Sequence, residues 1–407
     1  MATYAHSMTS NPLRSLNWTY GLVGVADATL LPFIPLLLVE RGLSAATIGL
    51  VLGIASTGSF VVGLAWAYLA DRRLSPERLV VLAGVSAAMV AALLAINGGE
   101  LGAALVIVAL SVVRAPLMLL DPIALRRLRQ AKRTDYARIR LRTSAGWAAS
   151  AVASGAVLQS AGLRLVPFLY APLSALLGLW VWRSLKPTAL TPEPDTAGAP
   201  RARMPRIPLA LVGFLGSCFL LGVSLAATQN FLVLQINVLG GGALLVGAAA
   251  AFQATTEVPT MAYINLLADR FGHRVLFAAG CAIYLVTFIA WAYTSNALVA
   301  ALLKLVVGVA FALTFVAAVI ITSELTPAHL RATGQALMKA VLFGIAPILG
   351  SLGGGLVYER LGPRVMFLAA TVVVAAAGAV ALISVPGRAR VPDVAAAATP
   401  EPAPATP

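Results

Sequence analysis

Residues 297–321 read ALVAALLKLVVGVAFALTFVAAVII, an apolar run broken by one ionisable side chain, Lys304. Wound as a helix at about 1.5 Å per residue, a run of this length crosses the roughly 30 Å hydrocarbon core of a bilayer. A barrel strand would alternate apolar and polar residues, and this run does not. Comparable runs recur near 17–39, 46–69, 78–97, 101–121, 139–160, 164–184, 207–234, 243–267, 274–294, 332–357 and 364–386. The pattern predicts an all-α membrane protein with twelve transmembrane helices.

The composition agrees. Of 407 residues, 60% are hydrophobic and 11% charged, and the mean hydropathy is +0.91. A soluble domain carries about 45–50% apolar residues even with glycine counted, so lipid must solvate most of this chain. A secreted disulfide scaffold and a disordered chain are excluded. Cys218 and Cys281 lie inside apolar runs, and His6, His273 and His329 are scattered without ligand spacing, so no metal is expected. No Gly-x-x-x-x-Gly-Lys-Ser/Thr sequence and no hydrolytic constellation is present, which argues against ATP-driven transport and against an enzyme.

Five prolines and three arginines between Pro187 and Arg206 interrupt the helical pattern. The expected organisation is a cytoplasmic N-terminal tail (1–16), a six-helix bundle (17–185), a cytoplasmic linker (186–206), a second six-helix bundle (207–387) and a disordered cytoplasmic tail (388–407). With the N-terminus inside, 22 of the 29 Lys and Arg residues fall on the cytoplasmic side. Arg41, Arg164, Arg360 and Arg364 fall on the other, and Arg114, Lys304 and Lys339 lie within spans. The formal charge of +14 is therefore mainly the positive-inside bias, with both termini cytoplasmic in the plasma or inner membrane. Nucleic acid is not needed to account for it.

Leu69-Ala70-Asp71-Arg72 recurs as Leu267-Ala268-Asp269-Arg270, each copy closing the second helix of its half. Here the chain resembles the major facilitator superfamily, which places an Asp-Arg-x-Gly-Arg-type latch after its second and eighth helices. The resemblance makes Asp71, Arg72, Asp269 and Arg270 gating-loop residues and implies two pseudo-symmetric six-helix bundles. The segment from Asp269 to Arg274 matches well, whereas the copy beginning at Asp71 is degenerate. Within the superfamily, Pro32-Phe33-Ile34-Pro35, Gly146-Trp147 and Glu324-Leu325-Thr326-Pro327 are similar to the branch of lactose permease and the phenylpropionate transporters.

Charges inside spans are functional candidates by default. Asp27 and Glu257 are candidate proton carriers, because burial disfavours the charged carboxylate; the alternative is an ion pair with Lys304 or Lys339. The branch resemblance supports Glu257 and also matches Lys304 to a lysine of lactose permease. The histidine and glutamate that accompany that lysine are here Val307 and Ala310. Arg114 is a candidate fork for a carboxylate, or one half of a buried pair. Asp121 and Arg140 resemble the permease's sugar-gripping pair, with an interfacial ion pair as the alternative. Thr228, Gln229 and Asn230 are candidate solute contacts, with Gln235 and Asn237 in the same span.

The function expected is secondary active transport of a small organic solute (a carboxylate, sugar or nucleoside), with a proton as coupling ion and no other cofactor. The alternatives are a proton-antiport exporter and a membrane sensor or partner protein. A monomer in contact with lipid is expected.

Overall fold

In the computed structural model, residues 12–72, 74–96, 98–131, 136–187, 208–327 and 330–386 are described. The linker expected at 186–206 lies almost wholly outside the described residues, as do the expected C-terminal tail and most of the N-terminal one. The rest is helical: α1 (Pro12–Ala28), α2 (Ile34–Glu40), α3 (Ala45–Arg72), α4 (Pro76–Ala92), α5 (Gly99–Arg114), α6 (Leu120–Gln130), α7 (Tyr136–Ala161), α8 (Val166–Ser184), α9 (Leu209–Val238), α10 (Gly242–Phe271), α11 (His273–Tyr293), α12 (Ala297–Leu325), α13 (Arg331–Lys339) and α14 (Ala346–Ser384).

Two crossings are broken, and proline accounts for both breaks. Between α1 and α2 a short 3₁₀ turn at Leu31–Phe33 carries Pro32, and α2 opens with Pro35 close behind. The Ala26 carbonyl at this break accepts both the Thr29 N–H at 3.1 Å and the Thr29 hydroxyl at 2.8 Å. Pro116 sits in the 3₁₀ stretch Ala115–Leu119 that separates α5 from α6. Proline lacks the N–H that would continue an α-helical ladder.

Among the described residues, nine segments are long and apolar enough to cross a membrane. The last of them, Thr333–Ser384, has 52 residues, about 78 Å of helix and more than twice a bilayer core. It does not run straight. Gly362 has a φ of 86°, a value side chains with a Cβ rarely adopt, and Pro363 follows it, so α14 turns sharply there.

Two long helices, α7 and α10, fall outside those nine. The first carries Arg138, Arg140 and Arg142 in its opening turns, and the second carries Gln253, Thr255, Thr256 and Glu257 at mid-length. They pack against each other. A polar helix is stable in lipid when its polar stripe faces protein or an internal cavity. Gln253 and Glu257 meet that condition, because both line a cavity between helices.

The segments before and after the linker pack mainly within themselves: α1 with α7 and α8, α4 with α8, and then α9 with α14 and α10 with α12. They meet along α7–α10 and α3–α14. Glycine permits both contacts. A Cβ on Gly49 would fall 3.0 Å from the Gly355 Cα, and one on Gly247 would overlap the Ala151 carbonyl and fall 3.3 Å from the Gly155 Cα. Both contacts lie toward the end where α3 and α10 begin. There the Ala46 N–H donates to Glu359 Oε2 at 2.6 Å and the Leu244 N–H donates to Gln159 Oε1 at 3.2 Å. Each segment thus supplies a side chain that caps a helix of the other.

Candidate functional site

Between the two segments lies a cavity of about 350 Å³. The broken first crossing supplies Pro32 and Pro35 to its wall, and α7 supplies Thr143, Ser144 and Trp147. On α10 the lining residues Val246, Ala249, Gln253 and Glu257 follow one another at three- and four-residue steps, the spacing of a single helix face. On α9, Gln229, Val233 and Ile236 do the same with Asn230 beside them, and α12 contributes Lys304.

Lys304 is 8% exposed. Its ammonium donates to Gln229 Oε1 and, at 2.9 Å, to Gln253 Oε1. Its hydrogen-bond partners are therefore neutral dipoles from two different helices, and the Glu257 carboxylate acts on it at longer range. Neither Lys304 nor Glu257 forms an ion pair among the described residues. Asn230 donates from Nδ2 to Ser351 Oγ at 3.0 Å, which ties the cavity wall to α14.

The other in-span charges lie off the cavity. Arg114 Nη2 donates to Asp27 Oδ1 at 2.6 Å, and both side chains are largely buried. The partner of Asp27 is thus Arg114, not Lys304 or Lys339. Arg114 is the last residue of α5, where the helix dipole favours a cation, and its guanidinium lies 5.6 Å from the Tyr170 ring centroid. Asp121 accepts the Tyr20 hydroxyl at 2.8 Å and lies 3.6 Å from Arg140, whose side chain is 60% exposed. Thr228 is fully buried and its hydroxyl donates to the Ser224 carbonyl at 2.8 Å, the back-bond of a helix interior. Gln235 accepts from the Tyr358 hydroxyl at 3.4 Å, and Lys339 is exposed at the end of α13.

Of the gating-loop residues, the side chains of Asp71 and Arg72 lie outside the described residues. Asp269 and Arg270 are exposed at the end of α10, with the Arg270 guanidinium 5.3 Å from the Phe271 ring centroid. Gly272 turns the chain with a φ of 80°, and His273 Nδ1 lies 3.2 Å from Glu324 Oε1.

Sequence reasoning thus identified Glu257, Gln229, Asn230 and Lys304 of the cavity and overlooked Gln253 and Trp147 as lining residues. Gln253 stands four residues before Glu257, and Trp147 four after Thr143. Helical spacing from a known polar residue was the signal available.

A helical membrane protein with a cavity carrying a few polar side chains at the meeting of two helix groups has the architecture of a solute transporter. The pattern of the MFS_1 like family matches residues 14–369, and the chain belongs to that family. The maltose permease of Geobacillus stearothermophilus is 26% identical over 361 residues, covering 84% of this chain and 86% of that protein. Among solved structures, the nucleoside transporter NupG superposes with a TM-score of 0.75 at 19% identity, over 92% of this chain and 99% of that one. A bacterial homologue of the human lysosomal transporter Spinster, inward-facing and occupied, gives a TM-score of 0.68 at 15% identity, over 91% of this chain and 96% of that one. The protein is an integral membrane protein of the major facilitator type, and a transporter rather than an enzyme.

Proposed function

We infer that this chain is a secondary active transporter that takes up a small organic solute together with a proton by alternating access. It spans the plasma or inner membrane twelve times as a monomer, with both termini in the cytoplasm. The nine apolar segments support that count when α7 and α10 are added and the longest segment, divided at Gly362, supplies two crossings. Residues 17–185 and 207–387 form the two six-helix bundles that rock about the cavity, and the separate packing of the two segments favours this division. The proton is the coupling ion, and no other cofactor is required.

The observation that carries the reading is the place of Glu257. It lines the shared cavity without an ion-pair partner among the described residues, whereas Asp27 is neutralised by Arg114. Carboxylate burial disfavours charge, so a proton taken up by Glu257 from one side accompanies the solute and leaves on the other. The caps at Ala46 and Leu244 hold the bundles together at one end while the solute exchanges at the opposite end.

The test uses vesicles and a panel of labelled sugars, nucleosides and organic acids. Glu257→Gln should abolish accumulation driven by a pH gradient and leave counterflow exchange intact. Equal pH-driven accumulation by the variant and the wild type removes Glu257 from coupling. Efflux that rises with inward proton flow reassigns the protein as an antiporting exporter, and binding with no flux of any kind reassigns it as a sensor.

A further inference from the structure

The reading of the cavity as a solute site leaves the chemistry of its occupant open, and the hydrogen-bond inventory around Lys304 narrows it. An ammonium has three N–H donors and no acceptor. Two of the donors of Lys304 go to Gln229 Oε1 and Gln253 Oε1, and the third remains on a side chain that lines the cavity. Because an ammonium can only donate, it fixes which end of each amide faces it. Both glutamines must turn their oxygens to Lys304 and their NH₂ groups elsewhere. No hydrogen bond to another described residue uses either NH₂ group, and both glutamines line the cavity.

This corner therefore turns mainly donors to the cavity: one ammonium N–H and the N–H groups of two amides, on three different helices. The two amide oxygens already accept from the ammonium, although each keeps a second lone pair. It also carries a positive charge that no carboxylate meets at ion-pair distance among the described residues; Glu257 lines the same cavity and acts on it only at longer range. The group that complements it best offers acceptors and bears negative charge. A sugar hydroxyl brings a donor with every acceptor, and a primary amide brings two. A carboxylate brings acceptors alone, and its hydrogen bonds to an ammonium are of the stronger, charge-assisted kind. Arg114, the other in-span cation considered for such a role, is occupied by Asp27.

We propose that the cavity binds a small organic carboxylate, received by Lys304 with Gln229 and Gln253 as positioning residues that hold the ammonium in place and add their own N–H donors. The volume of about 350 Å³ suits a small organic acid, and Trp147 on the facing helix α7 gives its carbon skeleton an apolar wall. The proposal rests on the cavity being the transport site, but its ligand chemistry can be measured by binding alone.

The experiment uses the purified full-length chain in detergent and matched probes: benzoate with benzamide, lactate with lactamide, and glucuronate with glucose. Maltose and uridine are included as neutral solutes. Binding is read by thermal shift and by quenching of tryptophan fluorescence. The acid of at least one pair should bind, and its neutral partner should bind about ten- to a hundredfold more weakly, the range expected for charge-assisted hydrogen bonds. Lys304→Met should lose the acid by a similar factor. Gln253→Glu should do so as well, because it gives the ammonium a carboxylate inside the protein.

Neutral members that bind as tightly as the acids overturn the proposal. So does a wild type that binds none of the acids, or a folded Lys304→Met that retains them. The wild-type pairs need no variant, so misfolding of Lys304→Met does not remove the test. Maltose or uridine accumulated under a pH gradient with no acid bound overturns this inference and leaves transport standing. Acids bound with no solute moved does the reverse.

Discussion

Arg114 and Lys304 are both cations buried among apolar helices, and their surroundings treat them in opposite ways. Arg114 meets a carboxylate, Asp27, at 2.6 Å and sits within the first helix group, away from the cavity. Lys304 donates to the oxygens of two neutral amides, lines the cavity and feels the Glu257 carboxylate only at longer range. A carboxylate partner cancels a buried charge. Amide dipoles support the charge without cancelling it, so it stays available to a third party. The difference separates a cation that ties helices together from one placed to receive a ligand.

The largest effect should come from breaking the cancelled pair on one side. Arg114→Met leaves Asp27 buried without its cation, and losing one partner of a buried pair costs about 3–5 kcal/mol. Unfolding in detergent, followed by near-UV circular dichroism, should show a fall of that size. Adding Asp27→Leu to Arg114→Met should restore most of the lost stability, because the uncompensated charge goes with it. A single variant as stable as the wild type would mean that the pair does not hold α1 to α5.

The same change at Lys304 should be far gentler. Lys304→Met leaves two amides facing each other, and one can turn to give its NH₂ to the other's oxygen. The expected loss is about 1 kcal/mol, the net worth of an ordinary hydrogen bond, measured by the same unfolding assay. A loss as large as that of Arg114→Met would make Lys304 a structural cation and erase the contrast.

How far this contrast was legible in the sequence follows from what a one-dimensional pattern records. Lys304 and Glu257 stood out because a charge in an apolar run is conspicuous. Asp27 and Arg114 were conspicuous for the same reason, but their pairing joins residues 87 positions apart, and each had several possible partners. Gln253 and Trp147 were harder to single out: polar residues are frequent in α7 and α10, and only helical spacing from Glu257 and Thr143 marks the face each shares. Helices were nevertheless expected near 139–160 and 243–267, from length and small-residue content, and α7 and α10 lie there. The breaks beside Pro32 and Pro116 are local proline chemistry, yet their consequence is not local. Thr228, grouped with its neighbours Gln229 and Asn230, points to the helix backbone because successive residues of a helix face about 100° apart.

The smallest expected effects belong to the caps at the closed end, where charged and neutral partners appear again with the helix groups exchanged. Glu359, from α14, accepts from the first turn of α3, and Gln159, from α7, accepts from the first turn of α10. A helix N-terminus favours an anion, and a charge-assisted bond is the stronger one, so Glu359 should hold the end shut more firmly than Gln159. Spin labels at Arg164 and Arg360, exposed positions on the two groups, would report the populations by their distance distribution; the native cysteines are buried. Glu359→Ala should raise the long-distance population more than Gln159→Ala, and the two should combine additively in the logarithm of the population ratio, since the caps share no partner. High salt should weaken the Glu359 contribution and leave that of Gln159 largely unchanged, because screening acts on charge and not on a neutral amide. Equal responses of the two variants, or a salt effect on both, would show that the charge at Glu359 adds nothing to closure.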